Sequence, residues 1–465
     1  MNARYRSLGP FILRSCAATA ALCATLALTV ATAHAGGMYL PTRGVRPTAR
    51  GGAFVAGADD LSATWFNPAG LGHLTSGALL IDAAFVGQSV SYERVDSGGN
   101  PQPAAENQAP GIPIPSLGYA RPLGKKATLA VGVWAPYAGL AKFAEDGPQR
   151  YSSVDLSKSL IATLGVGVGV RMTDTIRIGV TVQDHVVALE SAIVLSGCPA
   201  QTTCAPEDPD FDSLNRVDQN SFFNPSGSIG AQIDLGKKAT LGASFQLPVW
   251  VRGKGKLNTR LPASGFFDGA SIEGDRADLS FDLPAAIRAG VEVRPGRWRV
   301  EVAGTIELWS QHDAMTIEPR DVRIVDVPGV GTYELGPMVV PRNFKNTYAA
   351  HLGIEGRPMA KKPLVVRLGY AFETGAPPDE YLSVLTVDGQ KHLVALGAGY
   401  TIGAWTVDTL FGFAAMSART VAPGTGLAPQ LNPIRDDDEA LAVHVNDGTY
   451  GSSWLMIGAG GSRRF

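Results

Sequence analysis

The chain has 465 residues, 45% of them hydrophobic and 55 of them glycine, and its 40 Lys and Arg nearly balance its 42 Asp and Glu. Without a basic block or a matching motif there is no footing for nucleic acid as a partner. The length exceeds one small domain, and beyond the N-terminus no apolar run approaches the ~18 residues of a membrane helix.

Arg4, Arg6 and Arg14 lead into an apolar run from Cys16 to Ala33, and Ala33-His34-Ala35 supplies a small-x-small cleavage step. Residues 1–35 therefore read as a cleaved export signal. An uncleaved anchor is the weaker reading, because a cleavage site closes the run. Two of the four cysteines leave with the signal. The other two, Cys198 and Cys204, lie in a Pro- and Asp-rich segment and read as a disulfide in an oxidising compartment. No His or further Cys lies near enough to suggest a metal pair.

Residues 36–75 follow the signal, and the part from Arg50 to Leu71 is too rich in Gly and Ala to pack as an ordinary strand. It nevertheless carries Phe54, Trp65 and Phe66. Asn67-Pro68 is a turn or strand break, since proline fixes its own φ and pushes the preceding residue out of the helical region. Alone, the stretch would pass for a glycine-rich surface loop.

From Ala78 onward the apolar residues alternate. Trp298, Val300, Val302, Ile306 and Leu308 share one face, while Arg297, Arg299, Glu301, Thr305 and Glu307 share the other. The runs around Tyr348–Ile354, Leu364–Phe372 and Trp405–Phe413 repeat the pattern. Many exceed the about ten residues that a tilted strand needs to cross a membrane. Short turns near 124–126, 173–175, 236–238, 295–297, 360–362 and 403–404 alternate with seven longer polar segments, which gives about fourteen strands. An even number of strands, short turns on one side and long loops on the other describe an all-β transmembrane barrel of the outer membrane.

About fourteen strands should leave a lumen that leaks unless filled, because ~8 strands fill themselves and ~16–18 hold a channel. Residues 36–75 are the expected plug, or hatch, and 76–465 the barrel. Phe54, Trp65 and Phe66 then offer apolar surface to the wall or to a ligand, two readings of equal weight. Pro248 and Pro284 interrupt strands, as residues that cannot donate to a ladder. Pro136, by its position after residues 36–75, is the expected kink in the wall, with a plain strand end as an equal alternative.

Asn67-Pro68-Ala69-Gly70 closely resembles the hatch motif of the FadL family of outer-membrane transporters. Ala135-Pro136-Tyr137-Ala138-Gly139-Leu140, Asp282-Leu-Pro284 with Leu308-Trp309-Ser310, and Arg367-Leu-Gly-Tyr370 with Gly397-Ala-Gly-Tyr400 resemble, in order, further family segments. The resemblance implies a fourteen-stranded barrel with a hatch, an apolar lumen pocket and lateral release of ligand through a kinked strand. It implies uptake of long-chain fatty acids or related hydrocarbons by a monomer in the bacterial outer membrane, its partners being the hydrophobic molecule and the membrane lipid. The family's basic headgroup residues have no motif position that maps onto this chain. Aromatic hydrocarbons are the alternative substrate; a non-selective porin and a surface-complex scaffold are alternative functions.

No assembled nucleophile and base suggests an enzyme, and no cofactor or metal is expected. A barrel lipase would need a Ser/His pair converging at the membrane edge. His185 and His351 fall on lumen-facing strand positions and read as hydrogen-bonded wall residues.

Overall fold

The computed structural model describes residues 43–96, 98–200, 202–435 and 443–465. The expected signal, 1–35, lies outside the described residues, as does the start of the expected hatch.

Fourteen antiparallel strands close into a barrel. In chain order they are β1 (Ala78–Arg94), β2 (Ile112–Leu123), β3 (Ala127–Ala138), β4 (Leu160–Arg171) and β5 (Ile176–Ser196). Five strands follow in two pieces each: β6 (Asp212–Ser221, Pro225–Leu235), β7 (Ala239–Gln246, Val249–Arg260), β8 (Arg276–Leu283, Ala286–Val293), β9 (Trp298–Glu307, Ala314–Arg320) and β10 (Met338–Pro341, Thr347–Gly356). The last four are β11 (Leu364–Glu373), β12 (Lys391–Ile402), β13 (Trp405–Met416, Arg419–Val421) and β14 (Gly448–Arg464). Each strand pairs with its sequence neighbour, and β1 pairs with β14 from Ala78↔Arg464 to Arg94↔Gly448. Closure joins the first strand to the last and so removes the two terminal edges, as strands that cross lipid require.

The alternation expected on β9 is present. Val302 is 54% exposed on the outer face, whereas Glu301 is fully buried on the inner one. Ile229, Ile233, Val291, Leu368 and Phe411 likewise face outward. All six expected short turns lie at one end of the barrel, and the termini Gly77 and Phe465 meet there through a backbone hydrogen bond of 2.9 Å. The short-turn end is the periplasmic one.

Proline does what its chemistry requires at two of the breaks. Pro248 separates the pieces of β7 and Pro284 those of β8. The gaps in β6, β9 and β10 contain no proline, although Pro225 and Pro341 border the first and the last of them. Beyond the wall, Ser271–Glu273, Arg323–Val327 and Gly331–Glu334 form a small three-stranded sheet in the long loops. A disulfide joins Cys198 to Cys204, whose Cα atoms are 6.1 Å apart, within the loop between β5 and β6.

Candidate functional site

Residues 43–75 run inside the barrel. They form two short helices, α1 (Val45–Ala49) and α2 (Ala63–Phe66), and a 3₁₀ turn, Pro68–His73, all almost wholly buried. Helices this short do not hold themselves, so their position comes from contacts with the wall. Glu301 on β9 supplies the densest of these. Its carboxylate accepts the N–H groups of Val55 (2.7 Å), Ala56 (2.8 Å) and Gly57 (3.0 Å) and pairs with Arg50 (3.0 Å). Arg50 also meets Glu292 of β8 at 2.9 Å, and all three side chains are fully buried. Gln232 of β6 donates to the carbonyls of Val55, Ala56 and Ala58.

Asn67 joins the segment to the wall and to itself. Its amide donates to the carbonyls of Val55 (2.9 Å) and of Ala231 on β6 (3.1 Å), while its Oδ1 accepts Ala69 N–H. Pro68 opens the 3₁₀ turn, where a missing N–H costs nothing. Gly70 must be glycine, because a Cβ there would lie 2.4 Å from the carbonyl oxygen of Ala58. Towards the periplasmic end Arg46 pairs with Asp59, Asp60 and Glu355, and Arg299 with Asp59 and Glu292. Burial opposes ionisation of Asp59, yet Arg299 and Arg46 hold its carboxyl well below the usual carboxylate range.

Above this polar half lies an apolar cavity of about 120 Å³. Its wall is drawn from β1 (Val90), β5 (Leu189, Ile193), β8 (Leu279, Phe281), β9 (Met315, Ile317), β14 (Trp454) and the outer loops (Val384–Val387, Leu431). Among the described residues no lining side chain is charged. Leu160 and Ile161 of β4, Val217 of β6, Val340 of β10 and the stretch Tyr137–Ala141, where the barrel is irregular, add to the wall.

Between β3 and β4 the register slips. Trp134 faces Thr163 and Tyr137 faces Ile161, so Ala135 and Pro136 share one opposite residue in a bulge. On its other side β3 stops pairing with β2 after Val133↔Leu117, although β2 continues to Ile112 against β1. Trp134–Ala138 therefore have no ladder partner in β2. That part of β2 carries Pro113 and Pro115, residues that sheets tolerate at edges. Adjacent residues of a strand point to opposite faces, and both Leu160 and Ile161 of β4 line the cavity. Asn107 bridges above it, donating to Gln88 and Leu140 carbonyls at 2.6 Å and accepting Lys142 N–H at 2.9 Å.

Residues 26–432 match the family model described as "Outer membrane protein transport protein (OMPP1/FadL/TodX)". The chain belongs to this family. Its fold is shared with a Pseudomonas aeruginosa FadL homologue (TM-score 0.76, 16% identity, 92% of this chain and 100% of that one covered). It is shared also with the P. putida toluene transporter TodX (0.64, 15%, 93% and 99%) and the monoaromatic hydrocarbon channel CymD (0.60, 14%, 92% and 98%). No curated protein matches the sequence. Family members are transport channels rather than enzymes, and their place is the bacterial outer membrane.

The structure brings some of the expected site residues together and separates others. Phe54 and Phe66 meet edge-to-face at 5.8 Å inside the inner segment, and Trp65 is buried with the guanidinium of Arg288 over its ring. All three belong to the apolar cluster that continues into Tyr137, Leu189 and Phe281, but none lines the upper cavity. Phe66 lines a smaller polar cavity of about 60 Å³ lower down, with Arg43, Arg288, Glu307, Glu373 and Lys391. Pro136 sits in the bulge. His185 bonds Thr163 at 2.9 Å, and His351 bonds the Gly51 carbonyl at 2.8 Å. The cavity wall itself escaped sequence reading, since it comes from nine strands and three loops. Pro113 and Pro115 were the missed signal for the place where β2 and β3 stop pairing.

Proposed function

We infer that this channel takes up hydrophobic compounds by collecting them in the upper cavity and releasing them sideways into the membrane at the bulge of β3. The observation that carries this is the position of Tyr137–Ala141. The stretch of β3 without a partner in β2 leads directly into the wall of the apolar cavity. The inner segment, 36–75 with its Asn67-Pro68-Ala69-Gly70 turn, acts as the hatch that blocks passage straight through.

The lining favours a small uncharged ligand. A dry apolar cavity of ~150 Å³ accommodates a benzene ring, and this one is of that order. Monoaromatic hydrocarbons, the cargo named for CymD, fit that description. Long-chain fatty acids are the second reading, and Arg342 favours it. This side chain is 1% exposed, has no carboxylate partner among the described residues and lies against the Met315 sulfur at 3.4 Å. Met315 separates it from the cavity, so rotation of one thioether would offer a guanidinium to a carboxylate headgroup.

Trp454 in the cavity wall reports occupancy through its fluorescence. Toluene should quench or shift it in the wild type, and Met315→Ala should raise affinity for oleate if the second reading holds. Removing Pro136 restores an even count against β4, so uptake into liposomes should fall while binding at Trp454 persists. Unchanged uptake in that deletion variant would sink lateral release at this site.

A further inference from the structure

Charge is unevenly divided between the two ends of the barrel. The six short turns contain nine Lys and Arg and a single acid, Asp174. The seven long loops contain five Lys and Arg against twenty-two Asp and Glu. A chain close to neutral overall has therefore gathered its cations at the periplasmic rim. They come as Lys125-Lys126, Lys237-Lys238, Arg294 with Arg297, and Arg357 with Lys361-Lys362, at four turns spread around the circumference.

Inside that rim the same sign prevails. A recess of about 760 Å³ opens at the periplasmic mouth, and eight arginines line it with four acids. Three of the arginines, Arg46, Arg299 and Arg367, already engage those acids, Asp59, Asp60, Glu355 and Asp408. Arg297, Arg357, Arg463 and Arg464 have no carboxylate partner among the described residues. Arg357 and Arg297 are held side by side, the N–H of one donating to the carbonyl of the other at 3.2 Å.

The level of this rim is fixed independently. Trp298, Tyr119, Tyr400, Trp405 and Phe465 are all more than a third exposed and cluster at the same end as the turns. Aromatic rings of this kind gather where hydrocarbon gives way to headgroups. Turns one step beyond that belt reach the phosphates.

We propose that the periplasmic rim is a collar for anionic phospholipid headgroups of the inner-facing leaflet. A ring of cations is matched by a continuous layer of phosphates, whereas a soluble acidic protein could touch only one arc of it. Lys and Arg close to an anionic leaflet each add attraction that fades within a Debye length. Acidic outer loops and a basic inner rim together also bias which end faces the phospholipid leaflet.

The test uses the full chain in detergent micelles with equal amounts of phosphatidylglycerol and phosphatidylcholine, with retained lipid read by native mass spectrometry. Phosphatidylglycerol should be retained in preference, the preference should vanish at high salt, and it should fall roughly fivefold per removed charge at low salt. The variant Lys237→Gln, Lys238→Gln, Lys361→Gln, Lys362→Gln removes charge from two turns that play no part in the cavity or the hatch. Equal retention of both lipids by the wild type would overturn the proposal. So would an undiminished preference in the four-lysine variant. Loss in Arg297→Gln, Arg357→Gln alone would reassign the anion to the recess and end the collar. An unaltered heat-modifiable gel shift shows that each variant is folded.

Discussion

The lower and upper halves of the lumen are filled by opposite means. Below, residues 43–75 are held by buried charges and amide bonds: Glu301 alone satisfies three backbone N–H groups and a guanidinium. Above, Leu189, Phe281, Met315 and Trp454 surround a space with no charge at all. The contrast suits the roles proposed for the two halves. A plug should have one position, and directional bonds in low dielectric specify it, because leaving any of them unmade is expensive. A site that passes hydrophobic molecules should bind without geometry, and non-directional apolar burial at ~25 cal/mol per Å² does that.

The largest effect expected is from removing the lower filling altogether. A chain lacking the inner segment should still insert as a heat-modifiable barrel, since the wall's backbone bonds close on themselves, but should conduct ions in planar bilayers. An inserted, electrically silent deletion would show that the segment is not what closes the lumen. Glu301→Ala is the single-residue version. It strands Arg50 and three N–H groups in a buried site and should cost about 3–5 kcal/mol of docking, seen as flickering conductance in an otherwise intact barrel. By contrast, Phe281→Ala in the upper half should leave conductance closed and let bulkier ligands quench Trp454.

Two smaller tests separate inside from outside. Val302→Arg places a charge in lipid and should cost about 2–4 kcal/mol in a refolding titration. Thr305→Lys, three residues on, points into the lumen beside His351 and should be far better tolerated; equal damage would contradict the assigned faces. Smallest is Cys198→Ser with Cys204→Ser. A bridge across so short a loop is worth at most ~3 kcal/mol, so the outer loops should become protease-sensitive while the barrel keeps its melting point. Two reactive thiols in the unreduced wild type would remove the bridge from the account.

The wall was legible because a membrane imposes a period of two and turns of two lengths, both local properties of sequence. Fourteen strands, six short turns and the breaks at Pro248 and Pro284 follow from counting. The inner segment was legible as something that could not be a strand, and Asn67-Pro68 as a turn or break within it. Their partners were not, because Ala231, Glu301 and Gln232 reach the segment from strands more than 160 residues away. The cavity was least visible. Leu189 or Leu279 looks like any inward leucine, and only closure of the barrel decides that no side chain from the inner segment rises to cover it. Asn107 was hidden for a related reason, since its value lies in three bonds between loops that sequence places far apart.

The seam between β1 and β14 has a consequence for how such a chain is assembled. Gln88 and Ser452, bonded across it, are 364 residues apart. Contacts that distant form late, because the loop between them must first be ordered. The inner segment is tethered directly to β1 at the open periplasmic mouth, where Gly77 and Phe465 also meet, so it lies beside the last seam to close. The first and last strands of the wall are thus the last to find each other, and the filling of the lumen hangs from the very strand that waits longest for its partner.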